Sequence, residues 1–175
     1  MTTLWKYDSP VGSLHIASDG SSISGLWIEG QKYFASTLGS DVKEEHLPVF
    51  DAAKTWLDAY FAGRVPPAPP PLAPQGSPFR QAVWKLLLEI PYGGTATYGD
   101  LARRLRERGV SAAPQAVGGA VGHNPISILI PCHRVVGADG SLTGYAGGIQ
   151  VKQRLLELEG VDMTPFYVPK RGTAL

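Results

Sequence analysis

The chain of 175 residues has a single cysteine, Cys132. One cysteine cannot close an intrachain disulfide, so a secreted, disulfide-stapled scaffold is excluded. With no second cysteine and no familiar ligand spacing around Cys132-His133, a zinc site is also disfavoured. No apolar run approaches the roughly 20 residues of a membrane span. The opening "MTTLWKYDSPVGSLHIASDG" lacks a basic start followed by an apolar stretch, which predicts no secretory signal and a cytoplasmic protein. Charge of one sign is scarce as well. The formal net charge is +1, but it is uneven: 5 basic against 8 acidic residues in 1–76, and 11 against 7 in 77–175. That asymmetry weakly favours a polyanion as partner of the second half.

Hydrophobic residues make up 43% of the chain, enough for one domain or two small ones. "GRVPPAPPPLAPQGSP", from Gly63 to Pro78, is too proline-dense for a helix or a central strand and predicts a stiff extended connector. Domains are therefore expected at 1–76 and 77–175. In the first, Leu14, Ile16, Ile23, Leu26 and Ile28 read as strands broken by Ser-Pro and Asp-Gly turns. Phe50, Ala53, Leu57 and Tyr60 follow a helical period ending near Gly63. In the second, Ser77 and Pro78 open a helix with Phe79, Val83, Leu86, Leu87 and Ile90 on one face. Thr97 caps another with Leu101 and Leu105 inward and arginines between Arg103 and Arg108 outward. A third is expected from about Ala113 to Gly122.

That third helix is nearly bare: Ala113, Ala116, Gly118, Gly119, Ala120 and Gly122 give it little bulk, although glycine costs a helix about 1 kcal/mol against alanine. Close packing accounts for part of the pattern. A backbone that must approach another molecule accounts for it too. Two helices joined by a turn, the second small-sided, fit a helix-turn-helix better suited to a minor groove than a major one. Downstream, "SILIPCHRVVG" surrounds Cys132 with apolar residues, yet His133 and Arg134 adjoin it and Pro131 breaks regular pairing. A thiol beside a base and cations favours a reactive cysteine over a packed one.

"PCHRV", together with "VWKLLLEIPYGGTATYGDLA", "AVGGAVGHNPISILIPCHRVVGADGSLTGYAGG" and "KQRLLELEG", resembles the O6-alkylguanine-DNA alkyltransferases in order and spacing from about Phe79 to Gly160. The first 62 residues resemble that family's variable N-terminal domain. The resemblance implies an α+β fold: a small ribonuclease H-like α/β module, then a mainly helical domain with the helix-turn-helix. It implies a monomer that acts once on double-stranded DNA containing O6-alkylguanine, with no cofactor. Cys132 would be the nucleophile, His133 its base through a water, and Glu159 the group orienting His133. Tyr98 would serve guanine N3, and Asn124 would brace the turn before the active-site strand. The carbonyls of Cys132 and Val135 would accept from the exocyclic amine. Tyr145 would form a pocket wall, with the backbone at Ala146 and Gly147 near O6. Ala113, Ala116, Gly118, Gly119 and Arg134 are expected against DNA. The family's arginine in the small-sided helix is replaced here by Gln115, preceded by Pro114; Gln carries no charge and cannot cap a vacated stack as a guanidinium does. Zinc-binding cysteines of some members are absent. A non-enzymatic alkyltransferase-like binding protein is the alternative, which Cys132 opposes.

Overall fold

A computed structural model describes residues 2–169. Two compact units emerge. One holds residues 2–75 together with Pro125–Leu129; the other holds Gly76–Asn124 and residues 130–169.

In the first unit, β1 (Thr2–Ser9), β2 (Gly12–Ser18), β3 (Ile23–Ile28) and β4 (Val42–Glu44) form one sheet in the order β3-β2-β1-β4. The turns fall at the Ser-Pro and Asp-Gly signals, where Gly12 and Gly20 both take φ of 113°. β1 pairs antiparallel with β2 and parallel with β4. The three-residue β4, Val-Lys-Glu, carries no apolar alternation by which sequence could reveal it. Helix α1 (Pro48–Phe61) buries Phe50, Ala53, Leu57 and Tyr60 as the period predicts. Trp5 stacks on its Phe50 with centroids 5.6 Å apart, and the Tyr7 hydroxyl donates to Asp58 at 2.7 Å.

The free edge of β3 is not left bare. Ile23 N–H donates to Pro71 O and Ala73 N–H to Ile23 O, both at 2.8 Å. The proline-rich connector is thus extended, as expected, and also pinned: prolines supply carbonyls while Ala73 supplies the donor they lack. Further along, Leu26 N–H donates to Pro125 O at 2.8 Å and Leu26 O accepts from Ser127 N–H at 3.0 Å. Pairing of this edge is why Pro125–Leu129 belongs to the first unit, so a single cut at 76/77 does not describe the chain.

The second unit is helical: α2 (Pro78–Leu87), α3 (Tyr98–Glu107), α4 (Pro114–Gly122) and α5 (Ile149–Leu158), with a two-residue parallel pair, β5 (Ala96–Thr97) and β6 (Val135–Val136). The Ser77 side chain accepts from Arg80 N–H, and Thr97 with Asp100 makes a reciprocal capping box, both bonds 3.0 Å. Helices α3 and α4 form the helix-turn-helix. Their connection is braced by Arg106, which donates to Ala112 O at 3.0 Å, while Arg108 makes a bidentate pair with Glu89. Trp84, buried on α2, ties α4 down by donating from Nε1 to Ala120 O at 2.8 Å. No helix among the described residues is long and apolar enough to cross a membrane.

Candidate active site

The expected active-site strand is mostly a turn. Only Val135 and Val136 pair as strand; Cys132–Arg134 form a single 3-10 turn. Proline causes this. Pro131 sits at φ −81°, ψ 62°, so that Cys132 N–H folds back on Ile130 O at 2.8 Å. Asn124 Nδ2 donates to the same carbonyl at 2.9 Å, and its backbone N–H donates to Val121 O at 3.3 Å. One asparagine therefore joins the end of α4 to the turn that carries the cysteine.

Cys132 is 5% exposed. Burial pushes its thiol up, opposed by the Asn124 amide and the charge of Lys152. Desolvation outweighs both, so the site holds no standing thiolate at rest. The resting thiol needs a base.

His133 is wholly buried, and its Nε2 lies 2.5 Å from Glu159 Oε2. Burial lowers the histidine pKa more than Glu159 raises it, so the ring is neutral. Burial also acts to raise Glu159, but the hydrogen bonds from His133 and Arg134 and the Arg134 charge prevail and hold it at about 2. An ionised carboxylate fixes the tautomer: Nε2 carries the proton and donates, leaving Nδ1 basic.

Arg134 corrects an expectation. Predicted to reach DNA, it is 7% exposed and turned inward. Its Nε donates to Glu159 Oε1 at 2.8 Å, another nitrogen donates to Ile90 O at 2.8 Å, and its guanidinium lies 5.9 Å from the Tyr92 ring centroid. Gly93 N–H adds a third bond to Glu159, at 3.1 Å. A buried carboxylate needs such partners, and the arginine is committed to supplying them.

On another side, Tyr98 is the first residue of α3, and its hydroxyl donates to Thr143 O at 3.1 Å. Burial pushes its pKa up to about 12, so the phenol keeps its proton. Gly144 has φ of 82°, and a Cβ there would lie 2.4 Å from the Tyr98 hydroxyl. Only glycine lets this loop pass the phenol. Tyr145 is buried with its ring edge-on to His133 at 6.4 Å, and Tyr145 O accepts from Gly148 N–H across a turn containing Ala146 and Gly147.

Sequence reasoning missed Lys152. It is fully buried and donates to Val135 O and, at 2.8 Å, to Thr143 O. Desolvation lowers its pKa to about 8. The signal was available: Ile149, Lys152, Leu155, Leu156 and Glu159 share one helical stripe, so the lysine lies where a core residue belongs.

Away from this cluster, Ala113, Pro114, Gln115, Ala116 and Gly119 form an exposed face of α4. A Cβ at Gly118 would lie 3.9 Å from the Tyr98 ring, but at Gly119 and Gly122 it would meet nothing within 4 Å. Packing within the protein therefore does not explain those two glycines. Among the described residues no group of three or more His, Cys, Asp or Glu could hold a metal ion.

Residues 78–161 match the family profile described as 6-O-methylguanine DNA methyltransferase, DNA binding domain, and residues 5–73 match its ribonuclease-like domain. The chain belongs to the 6-O-methylguanine DNA methyltransferase family. Among relatives, the methylated-DNA–protein-cysteine methyltransferase of Haemophilus influenzae is 46% identical over 164 residues, spanning 92% of this chain and 89% of that protein. The crystal structure of the Mycobacterium tuberculosis O6-methylguanine methyltransferase superposes with a TM-score of 0.79 at 45% identity, covering 91% of this chain and 93% of that one. A structure of the Mycobacterium tuberculosis OGT in complex with DNA gives 0.79 at 44% identity, over 90% and 92%. Membership agrees with the α+β architecture: a ribonuclease-like sheet unit and a helical unit with the helix-turn-helix.

Proposed function

We propose that this methyltransferase-family chain repairs duplex DNA by moving an alkyl group from guanine O6 to Cys132, once per molecule. The observation that carries the reading is the buried series Cys132, His133, Glu159: one thiol, raised by burial, on the same 3-10 turn as a neutral histidine whose Nε2 is held by a carboxylate. His133 Nδ1 takes the thiol proton through a water, and Glu159 stabilises the imidazolium that forms. The sulfur then attacks the alkyl carbon in line. The S–C bond forms as the C–O6 bond breaks, and its electrons stay on the guanine. Tyr98, still protonated, donates to N3 and relieves that charge. The Cys132 and Val135 carbonyls accept from the exocyclic amine, Tyr145 walls the ring, and Ala146 and Gly147 offer backbone near O6. A thioether does not leave, so the protein is consumed.

A base inside a duplex must be extruded before this chemistry. The open glycines of α4 support a helix lying backbone-close in the minor groove, with Ala113, Ala116, Gly118 and Gly119 against sugar and phosphate and Gln115 at the vacated stack. The reading includes a cytoplasmic monomer. Intact-mass measurement after mixing with O6-methylguanine duplex tests it: one added methyl, mapped to Cys132, is expected. An unmodified protein that still binds the lesion would turn the reading into the alkyltransferase-like alternative.

A further inference from the structure

We propose that Lys152 is a positioning residue of the guanine pocket: its buried ammonium clamps the Val135 carbonyl on β6 to the Thr143 carbonyl on the facing loop and presents a fixed positive charge to the forming Cys132 thiolate. The proposal rests on the alkyl-transfer reading above and assigns a role to a group that reading leaves idle.

Geometry carries the argument. Lysine is almost never fully buried unless paired. Lys152 is fully buried, and its partners are two neutral carbonyls, those of Val135 and Thr143. Among the described residues it forms no ion pair with a carboxylate. Carbonyls satisfy two of the three ammonium protons but do not balance the charge. For the fold alone, an apolar chain of similar length would fill this core position at less desolvation cost. The missing counter-charge is one that arises only during the reaction, on Cys132 Sγ.

The two carbonyls also matter individually. Val135 O is the expected acceptor for the guanine amine. Thr143 O accepts from the Tyr98 hydroxyl at 3.1 Å as well as from Lys152 at 2.8 Å, so the lysine fixes the acceptor that aims the phenol. Gly144, whose φ is 82°, is what allows the loop to offer that carbonyl there. One ammonium thereby registers the amine-binding strand, the phenol and the pocket loop.

The titratable groups that face Lys152 are Cys132 and His133 on the 3-10 turn and Tyr98 on α3, which shares the Thr143 acceptor with it. Cys132 and Lys152 favour each other's charged forms. Ionising the thiol therefore holds the ammonium's proton, and losing that proton penalises the thiolate.

The test uses the full chain and its Lys152→Met and Lys152→Arg variants. Iodoacetamide labelling of Cys132 is followed against pH, and single-turnover transfer from O6-methylguanine duplex is measured with DNA affinity determined separately. In Lys152→Met the labelling midpoint should rise by at least about one pH unit, equivalent to roughly tenfold less thiolate at fixed pH. Transfer should slow by at least that factor at unchanged DNA affinity, and Lys152→Arg should restore the midpoint. A Lys152→Met protein with the wild-type midpoint and rate overturns the proposal, as does one that transfers slowly with an unshifted midpoint. If Lys152→Met does not fold, wild type alone decides: transfer should decline above a pH of about 8 while labelling continues to rise, and a transfer rate that keeps rising overturns it. A wild-type protein that accepts no methyl at all would instead sink the alkyl-transfer reading, since labelling needs no DNA.

Discussion

Replacing Glu159 by glutamine keeps the shape of the site and removes one charge. The carboxylate accepts from His133 Nε2 at 2.5 Å, Arg134 Nε at 2.8 Å and Gly93 N–H at 3.1 Å. An amide oxygen can still serve Arg134 and Gly93, but the guanidinium, 7% exposed, loses its counter-charge. Breaking a buried pair this way costs roughly 3–5 kcal/mol. The depression of Glu159 to about 2 from an ordinary 4.5 gives a similar figure, about 3 kcal/mol at 1.36 kcal/mol per unit. For a chain of this size, 3 kcal/mol lowers Tm by roughly 6–12 °C. The sign with pH follows. A depressed carboxylate stabilises the fold above its unfolded pKa, and that advantage drains as pH falls from about 4.5 toward 2. The stability gap between wild type and Glu159→Gln should therefore be full at neutral pH and close in that acid window. The chemical effect is separate. The new NH2 group donates to His133 Nε2, drives the proton to Nδ1, and turns the base into a donor. Transfer should fall about 10²–10⁴-fold, the range for losing a positioned base or its correct tautomer. Calorimetry from pH 2 to 8 and single-turnover transfer give the two readouts. A cycle with Arg134→Met should show coupling, because the double variant no longer strands the guanidinium. Wild-type stability in Glu159→Gln, or additive effects in the cycle, would refute the electrostatic argument; unimpaired transfer would refute the tautomer argument.

Cys132→Ala should abolish methyl uptake while leaving DNA affinity unchanged, read by intact mass and by gel shift; retained uptake would remove the nucleophile assignment. Gln115→Arg should raise duplex affinity or repair rate with a steeper salt dependence, since the guanidinium adds a phosphate-seeking charge. Transfer from free O6-benzylguanine, which needs no extrusion, should barely change. Gly144→Ala places a methyl 2.4 Å from the Tyr98 hydroxyl on a backbone with φ of 82°; it should cost about 1–2 kcal/mol from the backbone alone and slow transfer by displacing the phenol, measured by thermal unfolding and single-turnover rates.

Local rules were enough for much of this molecule. The caps at Ser77 and Thr97, the turns at Gly12 and Gly20, and the apolar period of α1 each depend on residues a few positions apart, so they are legible in order along the chain. The "PCHRV" motif likewise marked the candidate nucleophile and its histidine. What sequence could not decide is which way a polar side chain turns once the chain closes. Arg134 follows the reactive pair and reads as a cation for DNA, yet residues 25 and 44 positions away, Glu159 and Ile90, hold it inward. Lys152 lies on the apolar stripe of α5, but only packing supplies its partners, the carbonyls of Val135 and Thr143. The same holds for Pro125–Leu129, which join the first unit because the edge of β3 has backbone groups to satisfy. Hydrogen-bond demand is set by burial, and burial is a property of the assembled fold: local propensity chose the elements, and only tertiary packing chose the partners.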